Sequence, residues 1–340
     1  MPLVTVDTYN AELRAANGFV GDRASKRAFQ AILDEWRERL RKFGEDPLGE
    51  TPSDEISKKE LDKLLAGGEA EAAGVIHGAI EEFAQELAGV IRRFLRLKCW
   101  KEVERIVVGG GLRQSRIGEL TIGRTAVLLK ADRHDVELKP IRHDPDHAGL
   151  IGAVQLVPAW ILAGHDSILA VDIGGSNIRA GVVEWRAKKK KSAVSDAEVS
   201  AFDLWPHRED NPKRGEAVER LVEMLKRLVK AADKDGLKLA PFIGVGCPGL
   251  IRSDGTIERG GQNLPGNWEH KSFNLPDLLR EAIPRIGDHD TVVVMHNDAV
   301  VQGLSELPFM QDVEHWGVFT IGTGLGNACF TNRKGDAARK

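Results

Sequence analysis

The chain has 340 residues, 42% of them hydrophobic and 29% charged, with a formal net charge of −3. That balance is ordinary for a folded globular protein: no run approaches the roughly 20 apolar residues of a membrane-spanning helix, and the slightly acidic total leaves no electrostatic footprint for nucleic acid. The length suggests two lobes, which leaves room for a cleft, while Cys99, Cys247 and Cys329 lie too far apart to read as a disulfide framework or a Cys-x-x-Cys metal site.

The first residues, Met1 to Asp7, alternate like a strand and lack the basic-then-apolar pattern of a secretory signal, so a cytoplasmic address is expected. Over residues 25–43, Phe29, Ile32, Leu33, Trp36 and Leu40 recur at helical spacing among charged residues and predict an amphipathic helix. Residues 44–57, rich in Pro, Gly and acids, read as a surface loop. A second amphipathic helix follows over residues 71–97, with Ile76, Ile80, Phe83, Leu87, Val90, Ile91 and Phe94 inward and His77 at its surface. Then Arg105-Ile106-Val107-Val108 is a short buried strand running into Gly109-Gly110-Gly111-Leu112. Three glycines let a backbone pass close to a flat or charged ligand, because no Cβ intervenes. Taken alone, this segment is either a nucleotide loop or an ordinary turn. The small residues of 146–154 suit a helix packed tightly on its neighbours.

Stronger chemistry begins at Ile168. A buried strand ends in Asp172, turns through Gly174-Gly175-Ser176-Asn177 and returns as a second strand. This is a hairpin, not the strand-to-helix turn of a Walker or dinucleotide loop. Its amides can face phosphate oxygens while Asp172 holds a hydrated magnesium ion, which favours one or two carboxylates plus phosphate oxygens. The bland reading is a tight hairpin steadied by an aspartate. Arg186 and Lys188 to Lys191 read as a solvated basic loop, and residues 214–232 as another amphipathic helix. A strand over 242–251 is broken by Gly246-Cys247-Pro248-Gly249, a rigid turn at a carboxyl end, where open α/β sheets bind ligands. The loop Gly260 to Trp268 offers Asn263 among amide side chains suited to a polyol, whose hydroxyls both donate and accept. The β-branched strand from Thr291 ends in Asn297-Asp298 before a helix, where a carboxylate can take a hydroxyl proton. Finally, Trp316 to Ile321 runs into a second glycine turn, Gly322-Thr323-Gly324.

These segments together resemble the ROK family of bacterial repressors and sugar kinases, within the sugar kinase, heat-shock protein 70 and actin superfamily. The resemblance implies an α/β, two-lobed actin-like ATPase (ribonuclease H-like) fold with mixed sheets, and ATP-dependent phosphorylation of a sugar hydroxyl. It makes the hairpin Gly174, Gly175, Ser176, Asn177 the first phosphate motif, with Asp172 carrying Mg2+ through water. It makes Gly322, Thr323, Gly324 the second phosphate motif, and Gly110, Gly111, Leu112 the border of the adenosine. Asp298 is the implied catalytic base, with Asn263, Asn297 and Asp22 orienting the sugar. A homodimer without nucleic-acid or membrane partners is expected.

The order of these motifs is rotated, because the adenosine glycines precede the first phosphate hairpin instead of following the second. The chain is therefore expected to be circularly permuted. Residues 1–165 would correspond to the family's C-terminal lobe, 166–310 to its N-terminal lobe and 311–340 to the start of the C-terminal lobe. Leu13 to Asp22, with Asn17-Gly18, resembles the segment that normally follows the second phosphate motif, and Lys340 is expected close to Met1. Exchange of halves between subunits is the competing arrangement. Two departures matter. Asp22 stands where the family has a sugar-contacting Glu, one methylene longer, and Arg23, Ala24 and Ser25 stand where a zinc-binding His and Cys cluster usually follow, so structural zinc is not expected. A sugar sensor and a nucleotide-binding protein without turnover remain as other classes of function.

Overall fold

The computed structural model describes residues 3–16, 18–162, 164–185 and 196–333. Met1, Asn17, the basic run of Arg186 and Lys188 to Lys191, and Lys340 lie outside the described residues. The principal strands, in chain order, are β1 (Val4–Tyr9), β2 (Arg105–Gly109), β3 (Glu137–Pro140), β4 (Ser167–Ile173), β5 (Ile178–Glu184), β6 (Glu198–Trp205), β7 (Leu239–Cys247), β8 (Leu250–Ile251), β9 (Ile257–Arg259), β10 (Val292–Asn297), β11 (His315–Ile321) and β12 (Leu325–Asn332). The principal helices are α1 (Lys26–Arg41), α2 (Lys58–Gly67), α3 (Ala70–Phe94), α4 (Arg116–Ala131), α5 (Pro145–Gly152), α6 (His207–Asp210), α7 (Arg214–Lys234), α8 (Leu275–Ala282) and α9 (Asp298–Leu304). No described helix is long and apolar enough to cross a membrane.

The chain divides into two compact units. The first comprises Met1–Asn10, Arg142–Glu314 and Phe330–Lys340, the second Ala11–Ile141 and His315–Cys329. The first is built on a five-stranded mixed sheet of order β6-β5-β4-β7-β10. β4, β7 and β10 run parallel, while β5 is antiparallel to both β4 and β6. This is the mixed sheet expected of a ribonuclease H-like lobe. β4 is buried along its whole length, as the continuous apolar run of a central strand requires. Its two faces differ by the period-two alternation of a strand. Leu169, Val171 and Ile173 join the core formed with Leu221, Met224, Leu225 and Leu228 of α7, while Asp172 faces the opposite side and meets α5 at Gly149.

That opposite side depends on small residues, as their clustering at 146–154 predicts. A Cβ at Gly149 would lie 2.6 Å from Cγ of Asp172, and one at Gly152 would lie 1.7 Å from the carbonyl oxygen of Val301 in α9. A side chain at Gly149 would push α5 off the sheet, and one at Gly152 would push it off α9. β1 is not part of this sheet and lies beside the end of β12: Arg333 N donates to the Leu3 carbonyl at 2.9 Å, and the Thr331 hydroxyl donates to Asp7 at 2.7 Å.

In the second unit β11, β2 and β3 are parallel, with β12 beside β11. Helices α1, α3 and α4 supply an apolar core that includes Leu33, Phe83, Leu87, Phe94, Ile117 and Phe319. Each fully buried aliphatic or aromatic side chain of this kind contributes about 1.5–3 kcal/mol. Trp100 stacks on Phe319 with centroids 4.9 Å apart, and a Cβ at Gly317 would come within 2.4 Å of its ring. The helices expected over 25–43 and 71–97 are α1 and α3. Between them, the loop expected over residues 44–57 is followed by the helix α2. The Ser57 hydroxyl caps it by accepting from Glu60 N at 3.2 Å, and Ser57-Lys58-Lys59-Glu60 is the sequence signature of such a start. The loop itself is clipped down by Arg37. Its buried guanidinium donates to Asp46, to the Ser53 hydroxyl and to the Gly49 carbonyl, each at 2.8 Å.

Candidate active site

In the first unit the residues predicted from sequence cluster at the carboxyl ends of β4, β7 and β10. The hairpin after Asp172 closes tightly, with Gly174 N donating to the Asn177 carbonyl at 2.8 Å. It is braced from α6: the buried His207 donates through Nε2 to the Gly174 carbonyl at 2.9 Å, and Arg208 N donates to the Ser176 carbonyl at 3.2 Å. Gly174, Gly175, Ser176 and Asn177 are left partly exposed, so the turn is held from behind while its front stays open.

The turn after β7 is linked to β10 by Asn297. This side chain is buried, its amide donates to the Gly249 carbonyl at 3.0 Å, and its Oδ1 accepts from Ala299 N and Val300 N at 3.0 and 3.3 Å. It is thus the N-cap of α9, satisfying two of the orphan donors of that helix. Asp298 follows as the first residue of the helix and is partly exposed. The loop that carries the exposed Asn263 docks on the same turn, since a Cβ at Gly260 would lie 2.8 Å from Cα of Gly249. That loop is fixed internally by Gly261 N donating to Glu269 at 2.8 Å and by Trp268 Nε1 donating to the Pro265 carbonyl at 2.7 Å.

The electrostatics of this cluster are dominated by two carboxylates. Burial pushes Asp298 up to about 7, with the charge of Asp172 adding to the rise and the backbone N–H groups at the start of α9 opposing it. Asp172 is also raised by burial, with Arg179 opposing the rise and Asp146 adding to it. Arg179 stands directly opposite Asp172 in the β4–β5 register, 3.4 Å from its Oδ2, and pairs with Asp146 of α5 at 2.8 Å. Desolvation and the two acids also raise the thiol of the buried Cys247 well above its usual range, which keeps it protonated. Oδ1 of Asp172 is buried with no hydrogen-bond partner. Free lone pairs on one carboxylate fit a hydrated magnesium ion, which rarely uses an all-protein cage. Among the described residues no group of three or more His, Cys, Asp or Glu forms a metal-binding cluster.

The second unit brings together Gly110, Gly111, Leu112, Gly322, Thr323, Gly324 and the segment of Asp22. Gly110 has φ +85° and lies so close to β11 that a Cβ would be 2.3 Å from the Ile321 carbonyl oxygen. The Gly322–Gly324 turn closes on itself at 3.0 Å and is held by Lys26 N, which donates to the Gly322 carbonyl at 2.9 Å. Asp22 is exposed on the short helical segment Val20–Ala24, and its neighbour Gly21 packs against Leu325. The Asp62 carboxylate from α2 accepts from Arg116 N and Ile117 N at 2.9 and 3.0 Å. The start of α4 is therefore satisfied by the protein's own anion, and the glycine turn before it suits a neutral nucleoside better than a phosphate. Sequence reasoning missed Arg179, Asp146, His207 and Asp62. Of these only Arg179 leaves a local signal, because the hairpin register after a four-residue turn sets it opposite Asp172.

No model of a protein family matches the chain. It is similar to the glucokinase of Thermotoga maritima, with 29% identity over 167 residues, or 48% of this chain. The chain spans 44% of that relative's length. Among solved structures, the ROK hexokinase of Thermus thermophilus is 24% identical with a TM-score of 0.33, covering 50% of this chain and 49% of that one. A ROK family glucokinase of Streptomyces griseus, solved with glucose and AMPPNP, is 23% identical with a TM-score of 0.35, covering 50% and 46%.

Proposed function

We propose that the protein is an ATP-dependent sugar kinase in which Asp298 takes the proton of the attacking sugar hydroxyl. The observation that carries this reading is Asp298 itself. It is a partly exposed carboxylate at a strand end, raised to about 7 and set beside a glycine hairpin that follows a second buried carboxylate. A general base is most effective when its pKa lies near the working pH, and a structural aspartate capping a helix would instead be depressed by the N–H groups around it. The sequence similarity to a glucokinase supports the same reading.

In this proposal Asn263 and Asp22 contact sugar hydroxyls. Asn297, whose amide is occupied by α9 and the Gly249 turn, holds Asp298 in place. The amides of Gly174, Gly175, Ser176 and Asn177 receive phosphate oxygens, as do those of Gly322, Thr323 and Gly324, while Gly110, Gly111 and Leu112 border the adenosine. Magnesium, carried through water by Asp172, would neutralise charge on the transferred phosphoryl group. The residues supply position and charge stabilisation, with no covalent intermediate. The rotated motif order is read as a circular permutation, and the hydrogen bond between Arg333 N and Leu3 supports it. A cytoplasmic homodimer completes the proposal.

The test is a coupled ATP-to-ADP assay over a panel of hexoses that includes N-acetylated and ketose sugars. Sugar-dependent turnover is expected for at least one member, and Asp298→Asn should lower it about 10²–10⁴-fold while ATP still binds. ATP binding without turnover on any sugar would defeat the kinase reading in favour of a sensor.

A further inference from the structure

The geometry points to His296, with Tyr9 behind it, as the positioning residue that sets the catalytic carboxylate at Asp298. This assignment rests on the kinase reading above and adds to it a pair of residues outside the reacting groups.

β10 is Val292-Val293-Val294-Met295 until its penultimate residue, His296, which is largely desolvated. An aliphatic residue would fill that place without the penalty of burying an imidazole. The ring is used instead as an acceptor: its Nδ1 takes the backbone N–H of Asn297 at 2.8 Å. Three polar groups of Asn297 are thereby engaged in three directions. The backbone N–H goes to His296, Oδ1 goes to the first turn of α9, and the amide N–H goes to Gly249 at the end of β7. Asp298 is the next residue, and its backbone direction is set by this three-way clamp.

The ring is itself held. Tyr9 meets it edge to face, with centroids 5.0 Å apart and planes at 62°, and the Tyr9 hydroxyl donates to the Ile251 carbonyl at 3.1 Å. Ile251 lies in β8, two residues beyond Gly249. The contacts therefore form a closed circuit, from Asn297 through His296, Tyr9 and Ile251 back to the Gly249 turn. An imidazole can accept at Nδ1 only when neutral and protonated on Nε2, and burial, which pulls His296 down to about 4, keeps it so at working pH. Because reacting atoms must sit within a few tenths of an ångström of their attack geometry, a shift of about 1 Å at Asp298 can lower the rate roughly 100-fold.

The experiment compares His296→Phe, which keeps the ring and loses the acceptor, with His296→Asn, whose Oδ1 replaces Nδ1, and with Tyr9→Leu, which removes the support. Turnover is read as kcat and KM separately, and the amide exchange rate of Asn297 is read by NMR in the free protein. We expect His296→Phe to lower kcat about 10–100-fold with both KM values within twofold, and to speed exchange at Asn297. His296→Asn should restore most of both, and Tyr9→Leu should fall between. Unchanged kcat in His296→Phe, or unchanged Asn297 exchange in both His296→Phe and Tyr9→Leu, overturns the assignment while leaving the kinase reading intact. A wild-type protein without turnover on any sugar overturns the kinase reading and the catalytic role of the clamp together. The exchange rates then report only whether the clamp exists.

Discussion

Asp172 and Asp298 flank the same glycine: a Cβ at Gly246 would lie 3.5 Å from Oδ1 of Asp172 and 3.5 Å from Cα of Asp298. The two acids stand at the ends of the strands on either side of β7, with only its glycine between them, and burial, with the charge of Asp172 adding to it, raises Asp298. That raised carboxyl has consequences for rate and for stability.

The rate should carry an acid limb. With Asp298 raised to about 7, the base is protonated below that pH, and kcat/KM should fall about tenfold per pH unit under it. Removing the neighbouring charge with Asp172→Asn should lower the apparent pKa of Asp298, measured by carboxyl-carbon NMR in the free protein. An apparent value for Asp298 in the ordinary carboxylate range in the wild type would contradict the coupling.

Gly110→Ala tests the glycine turn of the second unit that is proposed to border the adenosine. At φ +85° and ψ 177° the residue occupies backbone space that is essentially reserved for glycine, and the added methyl would meet the Ile321 carbonyl oxygen at 2.3 Å. The strain alone costs about 1–3 kcal/mol, and the turn must move away from β11 to relieve it. ATP affinity, measured by calorimetry, should drop at least tenfold, while sugar affinity should change much less.

Much of this layout is legible in the sequence, and the reason is local chemistry. The hairpin at Asp172, the cap at Asn297 and the turns at Gly110 and Gly322 each announce themselves through a strand period followed by residues that only a turn or a helix start requires. The start of α2 at Ser57 is equally local. What the sequence does not display are the braces. His207 holds Gly174 from 33 positions away, Asp62 caps α4 from 54 positions away, and Tyr9 meets His296 only through the tertiary fold. Each depends on two segments meeting in space, which no local period encodes. The buried role of Arg37 is hidden for the same reason, since on α1 it looks like one more cation of a solvated helix face.

Arg37 gives a prediction about stability alone. Its guanidinium and the Asp46 carboxylate are 1% and 2% exposed, and Asp46 is held below the usual carboxylate range by its hydrogen bonds to Leu48 N and Arg37 and by the charges of Arg37 and Arg41, against the opposing effect of burial. Breaking a buried pair from one side costs about 3–5 kcal/mol, and here Arg41, 2.7 Å from the same Asp46 oxygen, offsets part of that cost. Arg37→Met should therefore lower the midpoint of urea unfolding sharply, with the KM values of the remaining folded enzyme unchanged. Asp46→Asn should also destabilise, because its single amide oxygen can keep only one of the two bonds that now fall on separate carboxylate oxygens, to Leu48 N on Oδ1 and to Arg37 on Oδ2. Equal stability of wild type and Arg37→Met would show that the loop after α1 needs no clip.

The last prediction turns the raised Asp298 into a stability profile. A carboxyl whose folded pKa lies above its unfolded value of about 3.9 binds its proton more tightly in the native state. Between about pH 4 and pH 7 the native protein holds more protons than the unfolded chain, so this group's contribution to stability falls as pH rises through that window and is level above it. Asp298→Asn keeps the shape and removes the ionisation. It should leave stability at pH 4 nearly unchanged and raise it at pH 8, by on the order of 1 kcal/mol or more, since each unit of displacement corresponds to about 1.4 kcal/mol. The opposing pull of the helix N-terminus is already contained in the raised value of Asp298, since the N–H groups at the start of α9 counter the rise. Thermal unfolding of the two proteins at pH 4 and pH 8 measures the difference directly. A variant that is less stable than wild type at pH 8 would mean that Asp298 is an ordinary ionised cap, and the base would have to be sought elsewhere.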